Sequence, residues 1–181
     1  MKSSVRQIIL ITFMLLVFTG CKKNFNISDK QVILFQLDYI NYAWGYQHKG
    51  YLIDRDGNIL TYNNPENWNF PNNDFGLTEQ QVIENIASCI HAGSKISKEE
   101  LQKYSGYINN IASTKITALK NVAADAGTLE YICYQYSENS GMYKGTLIKK
   151  EGDFTCENLN FYSKKITTWM KGINNSITKK Q

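Results

Sequence analysis

Two hydrophobic periods divide the chain. Between residues 32 and 62, Ile33, Phe35, Leu37 and Tyr39 alternate with the less apolar row Leu34, Gln36, Asp38 and Ile40. That is the period of a half-buried strand. The β-branched and aromatic run 32–48 is long for one strand, and Gly45 falls where a bend or bulge would interrupt it. Gly50 reads as a turn. Tyr51–Asp54 and Asn58–Tyr62 then read as short strands around Arg55-Asp56-Gly57, whose glycine supplies the positive φ of a tight turn. Residues 32–62 are therefore expected to form a three-stranded antiparallel meander. A second hairpin is predicted over 128–150, with Glu138-Asn139-Ser140-Gly141 as its turn. Pairing about that turn sets Cys133 opposite Thr146.

Elsewhere the period lengthens to 3.6. A helix over about 79–92 is announced by the capping box Thr78/Gln81 and the staple Leu77/Val82. Val82, Ile83, Ile86 and Ile90 are its expected buried stripe, and Gly93 its stop. A helix over about 98–112 starts at Ser97/Glu100, with Ile96 and Leu101 as staple and Leu101, Tyr104, Ile108 and Ile111 as core face. A third runs over about 158–173 on Leu159, Tyr162, Ile166, Trp169, Met170 and Ile173. Residues 113–127 read as a loop with a short strand or helical turn. Strands and helices are segregated rather than alternating, which indicates an α+β domain: an antiparallel sheet with three helices packed on one face.

The start of the chain has a different pattern. Lys2 and Arg6 precede an apolar run, Ile8–Phe18, interrupted only by Thr12, and Thr19-Gly20-Cys21 follows. Eleven helical residues rise about 16 Å, short of the ~30 Å hydrocarbon core of a bilayer. This is the layout of a secretory signal rather than a span. Its ending, Val17-Phe18-Thr19-Gly20-Cys21, resembles the lipobox of bacterial lipoproteins, with Phe18 where leucine is usual. The resemblance implies cleavage between Gly20 and Cys21 by signal peptidase II and acylation of the Cys21 sulfur. It also implies a lipid-anchored protein of the bacterial envelope, facing the periplasm. An ordinary secretory signal is the other reading of the same residues. The expected organisation is a signal peptide (1–20), a lipidated tether (21–30), one globular domain (31–175) and a frayed tail (176–181).

Removing residues 1–20 takes Lys2 and Arg6 with it and lowers the formal charge from +4 to +2. A near-neutral domain lacks the basic excess of a nucleic-acid partner. With Cys21 lipidated, Cys89, Cys133 and Cys156 remain, an odd set that permits one bridge at most. Cys89–Cys156 is the expected pair, with Cys133 a small buried apolar group. None of these cysteines has metal-site spacing, and no cofactor motif occurs. Asp54-Arg55-Asp56-Gly57-Asn58 departs from a calcium loop in the position of its glycine and reads as a hairpin turn.

Candidate ligand contacts are Trp44, Tyr46 and His48 at a strand end, and Trp68 and Phe70 in the asparagine-rich loop 63–76. Aromatic faces beside amide groups suit sugars or peptides; the same aromatics would also pin a long loop to the core. His48 at a strand end is expected to be partly exposed. Three functions follow from these features. The first is a membrane-anchored binding module whose partner is an envelope protein or glycan. The second is an inhibitor or immunity-type protein that uses 63–76 as a protruding loop against an exported enzyme. The third is an envelope hydrolase with His48 as base.

Overall fold

The computed structural model describes residues 27–72 and 74–179. The expected leader, its cleavage site and Cys21 lie outside the described residues.

The fold is α+β, built on a nine-stranded antiparallel sheet. Strands β1 (Ile33–Asn41), β2 (Gln47–Asp54) and β3 (Asn58–Asn63) form the expected meander. The first turn falls at 42–46, with Gly45 at positive φ, and not at Gly50, which sits inside β2. Strands β7 (Thr128–Ser137) and β8 (Met142–Gly152) form the second hairpin, with Cys133 opposite Thr146. β1 joins the two units by pairing with β7. The strip is extended by β5 (Ile90–Lys95) beside β3, by β4 (Gly76–Thr78) and β9 (Phe154–Glu157) beside β8, and by the two-residue β6 (Lys120–Asn121) beside β9.

The helices are α1 (Glu79–Ala87), α2 (Lys98–Ser105), α3 (Ile108–Ala112) and α4 (Ser163–Thr178). Both hydrogen bonds of the Thr78/Gln81 capping box form. Helix α1 stops five residues before the expected end. Ile90, predicted as core, is 75% exposed and pairs with Thr61 on the free edge of β3. An open strand edge offers hydrogen bonds that a β-branched residue can take at once, and this overrides the helical period. The expected helix 98–112 is interrupted at Gly106-Tyr107. The last helix starts five residues late because the buried Asn158 side chain organises a turn. It donates to the Ile111 and Thr114 carbonyls and accepts from the Asn160 N–H and the Ser163 hydroxyl. Leu159 is left in solvent, and the helix persists to Thr178.

Two apolar clusters lie on opposite faces of the sheet. Under α2, α3 and α4 are Leu34, Phe35, Leu37, Tyr51, Ile53, Tyr131, Cys133 and Ile148, packed on Leu101, Ile108, Ile166, Trp169 and Met170. Val82 of α1 packs instead with Ile33, Leu52, Leu60, Tyr62, Leu77, Ile132, Tyr134 and Tyr143. The expected helices 98–112 (split into α2 and α3) and 158–173 (α4) thus share a face, whereas α1, expected on that same face, covers the other. A β-bulge between Ile33 and Phe35 moves Ile33 out of the row it shares with Phe35 in the sequence pattern.

The three cysteines are free. Cys89 precedes β5 at one edge of the sheet and Cys156 lies on β9 near the other, six strand spacings away. At ~4.8 Å per spacing that is far beyond the Cα separation a disulfide tolerates. The pairing Cys89–Cys156 is therefore corrected. Cys133 is a buried apolar group as expected.

Candidate functional site

The row Gln36, Asp38 and Ile40 faces away from α2–α4. The alternation marked it as the less apolar side of β1, the side expected in water. Gln36 and Asp38 are buried instead, and Ile40 is partly buried, because loop 63–76 and α1 fold over them. Asn85 of α1 ties the loop down, accepting from the Asn69 N–H and donating to the Asn69 carbonyl, each at 2.8 Å. Asn64, in the left-handed region at φ 47°, closes the other end: its N–H donates to the His48 carbonyl and its side-chain oxygen accepts from the His48 N–H at 2.7 Å. Asparagine tolerates that conformation better than most residues.

Beneath the loop runs a chain of buried polar groups. The Tyr134 hydroxyl donates to Gln36 Oε1 at 2.5 Å, and Gln36 Nε2 donates to Tyr62 Oη at 3.0 Å. The Tyr62 hydroxyl donates to Asp38 Oδ1 at 2.5 Å, and His48 Nε2 lies 2.8 Å from the same oxygen. Burial, reinforced by the Asp38 charge, holds the Tyr62 phenol well above its ordinary range, so it stays a donor. Gly50 makes this possible. A Cβ there would lie 1.9 Å from the Leu37 carbonyl oxygen and 2.6 Å from Tyr62 Oη. The glycine that pattern assigned to a turn is a close-approach position for a ring on the neighbouring strand.

His48 is fully buried, not partly exposed. Aromatic rings surround its imidazole: Tyr62 at 5.1 Å between centroids, Trp68 at 5.3 Å, Phe70 at 5.0 Å and Tyr46 at 6.2 Å. Trp68 also packs on Tyr62 at 4.1 Å. Asp38 takes the Nε2 side, and Nδ1 is buried with no hydrogen-bond partner. Among the described residues no serine, threonine or cysteine contacts the ring by hydrogen bonding. The pair therefore has the carboxylate–imidazole half of a nucleophile triad without the nucleophile.

Beside this network is a cavity of about 360 Å³. Its sheet side carries Gln36, Asp38, Ile40, Thr128, Glu130 and Ile132, and its outer wall is Phe70, Pro71, Asn72 and Phe75. Asp38 and Glu130 are register partners on β1 and β7. The wall is a compact turn. Asn72 Oδ1 accepts from the N–H groups of Asp74 and Gly76, and Phe75 sits at φ 56°. A bulky side chain in the left-handed region costs about 1–3 kcal/mol and is held by its surroundings. Here the Phe75 carbonyl accepts from the Gly145 N–H at 2.7 Å. A second, larger depression near the end of α4 holds one charged side chain, Lys49, and no comparable network.

Of the sequence candidates, the structure brings His48, Trp68, Phe70 and Tyr46 together. Trp44, 77% exposed, projects with Tyr42 from the β1–β2 turn and does not line the cavity. Loop 63–76 is stitched to α1 rather than protruding. Gln36, Asp38 and Glu130 were not singled out by the sequence. Their one signal was an acidic residue in an alternating strand, which usually marks a solvated face. Asp54, by contrast, satisfies its own turn, accepting from the N–H groups of Asp56 and Asn58, in keeping with a hairpin. Among the described residues no group of three or more metal-ligating side chains converges, and no helix is long and apolar enough to cross a membrane. No protein-family model, curated protein or solved structure matches the chain.

Proposed function

We propose that this protein is a lipid-anchored binding module of the bacterial envelope, and that its ligand site is the cavity walled by Phe70, Pro71, Asn72 and Phe75. The observation carrying this reading is the cavity itself, which joins apolar walls to a few converging polar groups, the usual make-up of a small-ligand site. Ser28 lies beside the β7–β8 turn, where its hydroxyl donates to Glu138 at 2.6 Å. The cavity floor runs from the mid-strand pair Gln36 and Ile132 to Ile40 and Thr128 at the opposite end of β1 and β7. The eight residue steps from Ile33 to Asn41 span about 26 Å. On this reading the anchor is attached at the Ser28 end of β1, and the exposed Trp44 turn lies at the other end of that strand.

The binding reading is preferred to a hydrolase because the ring of His48, the expected base, is fully buried against Trp68 and Phe70. It is preferred to an inhibitor because loop 63–76 is pinned. The test uses the full-length protein expressed in bacteria with labelled palmitate, followed by capture of ligands from an envelope extract. Label is expected on the wild type and absent from Cys21→Ser; retained ligand is expected with the wild type and reduced with Phe70→Ala. Unlabelled wild type would refute the anchor. Equal retention by Phe70→Ala would refute the cavity as the site.

A further inference from the structure

The charges around the cavity define its ligand. Its lining includes two carboxylates, Asp38 and Glu130, and no lysine or arginine. Asp38 is only 7% exposed, and both its described hydrogen bonds, from His48 and Tyr62, fall on Oδ1. No described residue bonds Oδ2. Asp38 itself lines the cavity. Glu130 is held at 2.5 Å by Lys150, its register partner on β8, which is not part of the lining. Like charges side by side on paired strands repel, and a buried carboxylate with an open oxygen is costly unless a donor or cation meets it.

We propose, resting on the cavity being the ligand site, that it takes a small organic ammonium ion with an apolar body. The ammonium donates to Asp38 Oδ2 and lies near Glu130, while the body packs between Phe70 and Phe75 above and Ile40 and Ile132 below. Phenyl rings beside a cation add favourable quadrupole contact. The volume of about 360 Å³ suits a single ring with a short chain. The same charges exclude phosphates, carboxylates and acidic sugars. A metal ion is disfavoured because no third ligating side chain joins the two carboxylates among the described residues.

The experiment is calorimetric titration of the full-length protein with phenethylammonium, with the neutral isostere 2-phenylethanol, and with methyl glucoside. The amine is expected to bind at least tenfold more tightly than the alcohol, and Asp38→Asn to weaken the amine tenfold or more while leaving the alcohol unchanged. Glu130→Gln, which keeps the shape of a less buried residue, is expected to weaken the amine about threefold, and it decides the matter if Asp38→Asn does not fold. Amine and alcohol binding within threefold of each other would overturn the proposal, as would amine affinity unchanged in Glu130→Gln. Binding of the glucoside alone would also overturn it, while keeping the cavity as a ligand site. No binding of any probe, with envelope ligands still captured in a Phe70-dependent way, would remove the ammonium assignment and leave the binding module standing.

Discussion

Strand β1 sends alternate side chains into two different interiors. On one side Phe35 and Leu37 meet α2–α4 in an apolar cluster, with Phe35 edge-on to Trp169 at 5.2 Å. On the other side Gln36 and Asp38 meet tyrosines, a histidine and a pinned loop. Each side leaves one buried nitrogen without a partner, Trp169 Nε1 on the first and His48 Nδ1 on the second. The difference lies in what burial does. The apolar side gains about 25 cal/mol per Å² removed from water and needs no direction. The polar side must match donors to acceptors one by one, and a buried pair of this kind is at best weakly stabilising. The proposed ligand site supplies a reason for a polar row kept under cover beside a cavity that stability alone does not.

Alkaline pH strains both sides at once and carries the largest expected effect. Burial pushes the Cys133 thiol from its ordinary 9 up to about 12. The unfolded chain therefore loses this proton first as the pH rises. The contribution is fully present below pH 9 and is lost on rising toward 12. Tyr51 and Tyr62, one on each face, are likewise held well above 10, chiefly by burial. Each such group adds a slope of roughly 1.4 kcal/mol per pH unit once its unfolded form ionises. Urea midpoints are expected to fall progressively between pH 9 and 11; a flat profile would contradict the burial of these groups.

Phe35→Ala breaks the apolar side alone. Phe35 is fully buried, and deletion of its ring is expected to cost about 3–5 kcal/mol. Ammonium binding in the surviving folded fraction should be unchanged, since the side chains lining the cavity belong to the opposite face and none is part of this cluster. A loss below ~1 kcal/mol in urea unfolding would mean that the helices are not seated on this face.

This half of the molecule was the legible half. Hydrophobic period and turn chemistry located the 128–150 hairpin and the core face of α4, because those signals are local; on the other face only the start of α1, marked by its capping box, was as plain. The Cys133–Thr146 register followed from turn length alone. What remained hidden depended on distant pairing. Ile90 left its helix for the edge of β3, and Gly50 served a tyrosine on another strand. Asp38 looked solvated because nothing in the pattern 33–41 says that residues 63–76 will lie over it. The site is assembled by β1 meeting β7 and by the loop, contacts that alternation cannot encode.

Tyr62→Phe breaks the polar side. It removes the hydroxyl between Gln36 and Asp38 and leaves Gln36 Nε2 and one Asp38 hydrogen bond unmade. A buried group left unsatisfied costs about 1–3 kcal/mol. Cavity affinity should change as well, unlike in Phe35→Ala, because Asp38 loses one of the two groups that fix its carboxylate. If urea stability and amine affinity both match the wild type, the network is incidental.

The smallest effect on stability is expected from Trp44→Ala, and it separates folding from function most cleanly. Trp44 is on the β1–β2 turn and faces solvent, while Tyr46, two residues on, reaches the His48 ring. Exposed positions away from caps and strained backbone usually shift stability by no more than about 0.5 kcal/mol, so the urea midpoint should barely move. Phenethylammonium binding should be preserved, because Trp44 does not line the cavity. Capture of a large envelope partner is the quantity that decides its role. A protein or glycan seated over the cavity mouth would cover this turn too, and its retention should then fall with Trp44→Ala while the small amine still binds. Unchanged retention confines recognition to the cavity; loss of both would mean that the turn shapes the cavity through Tyr46.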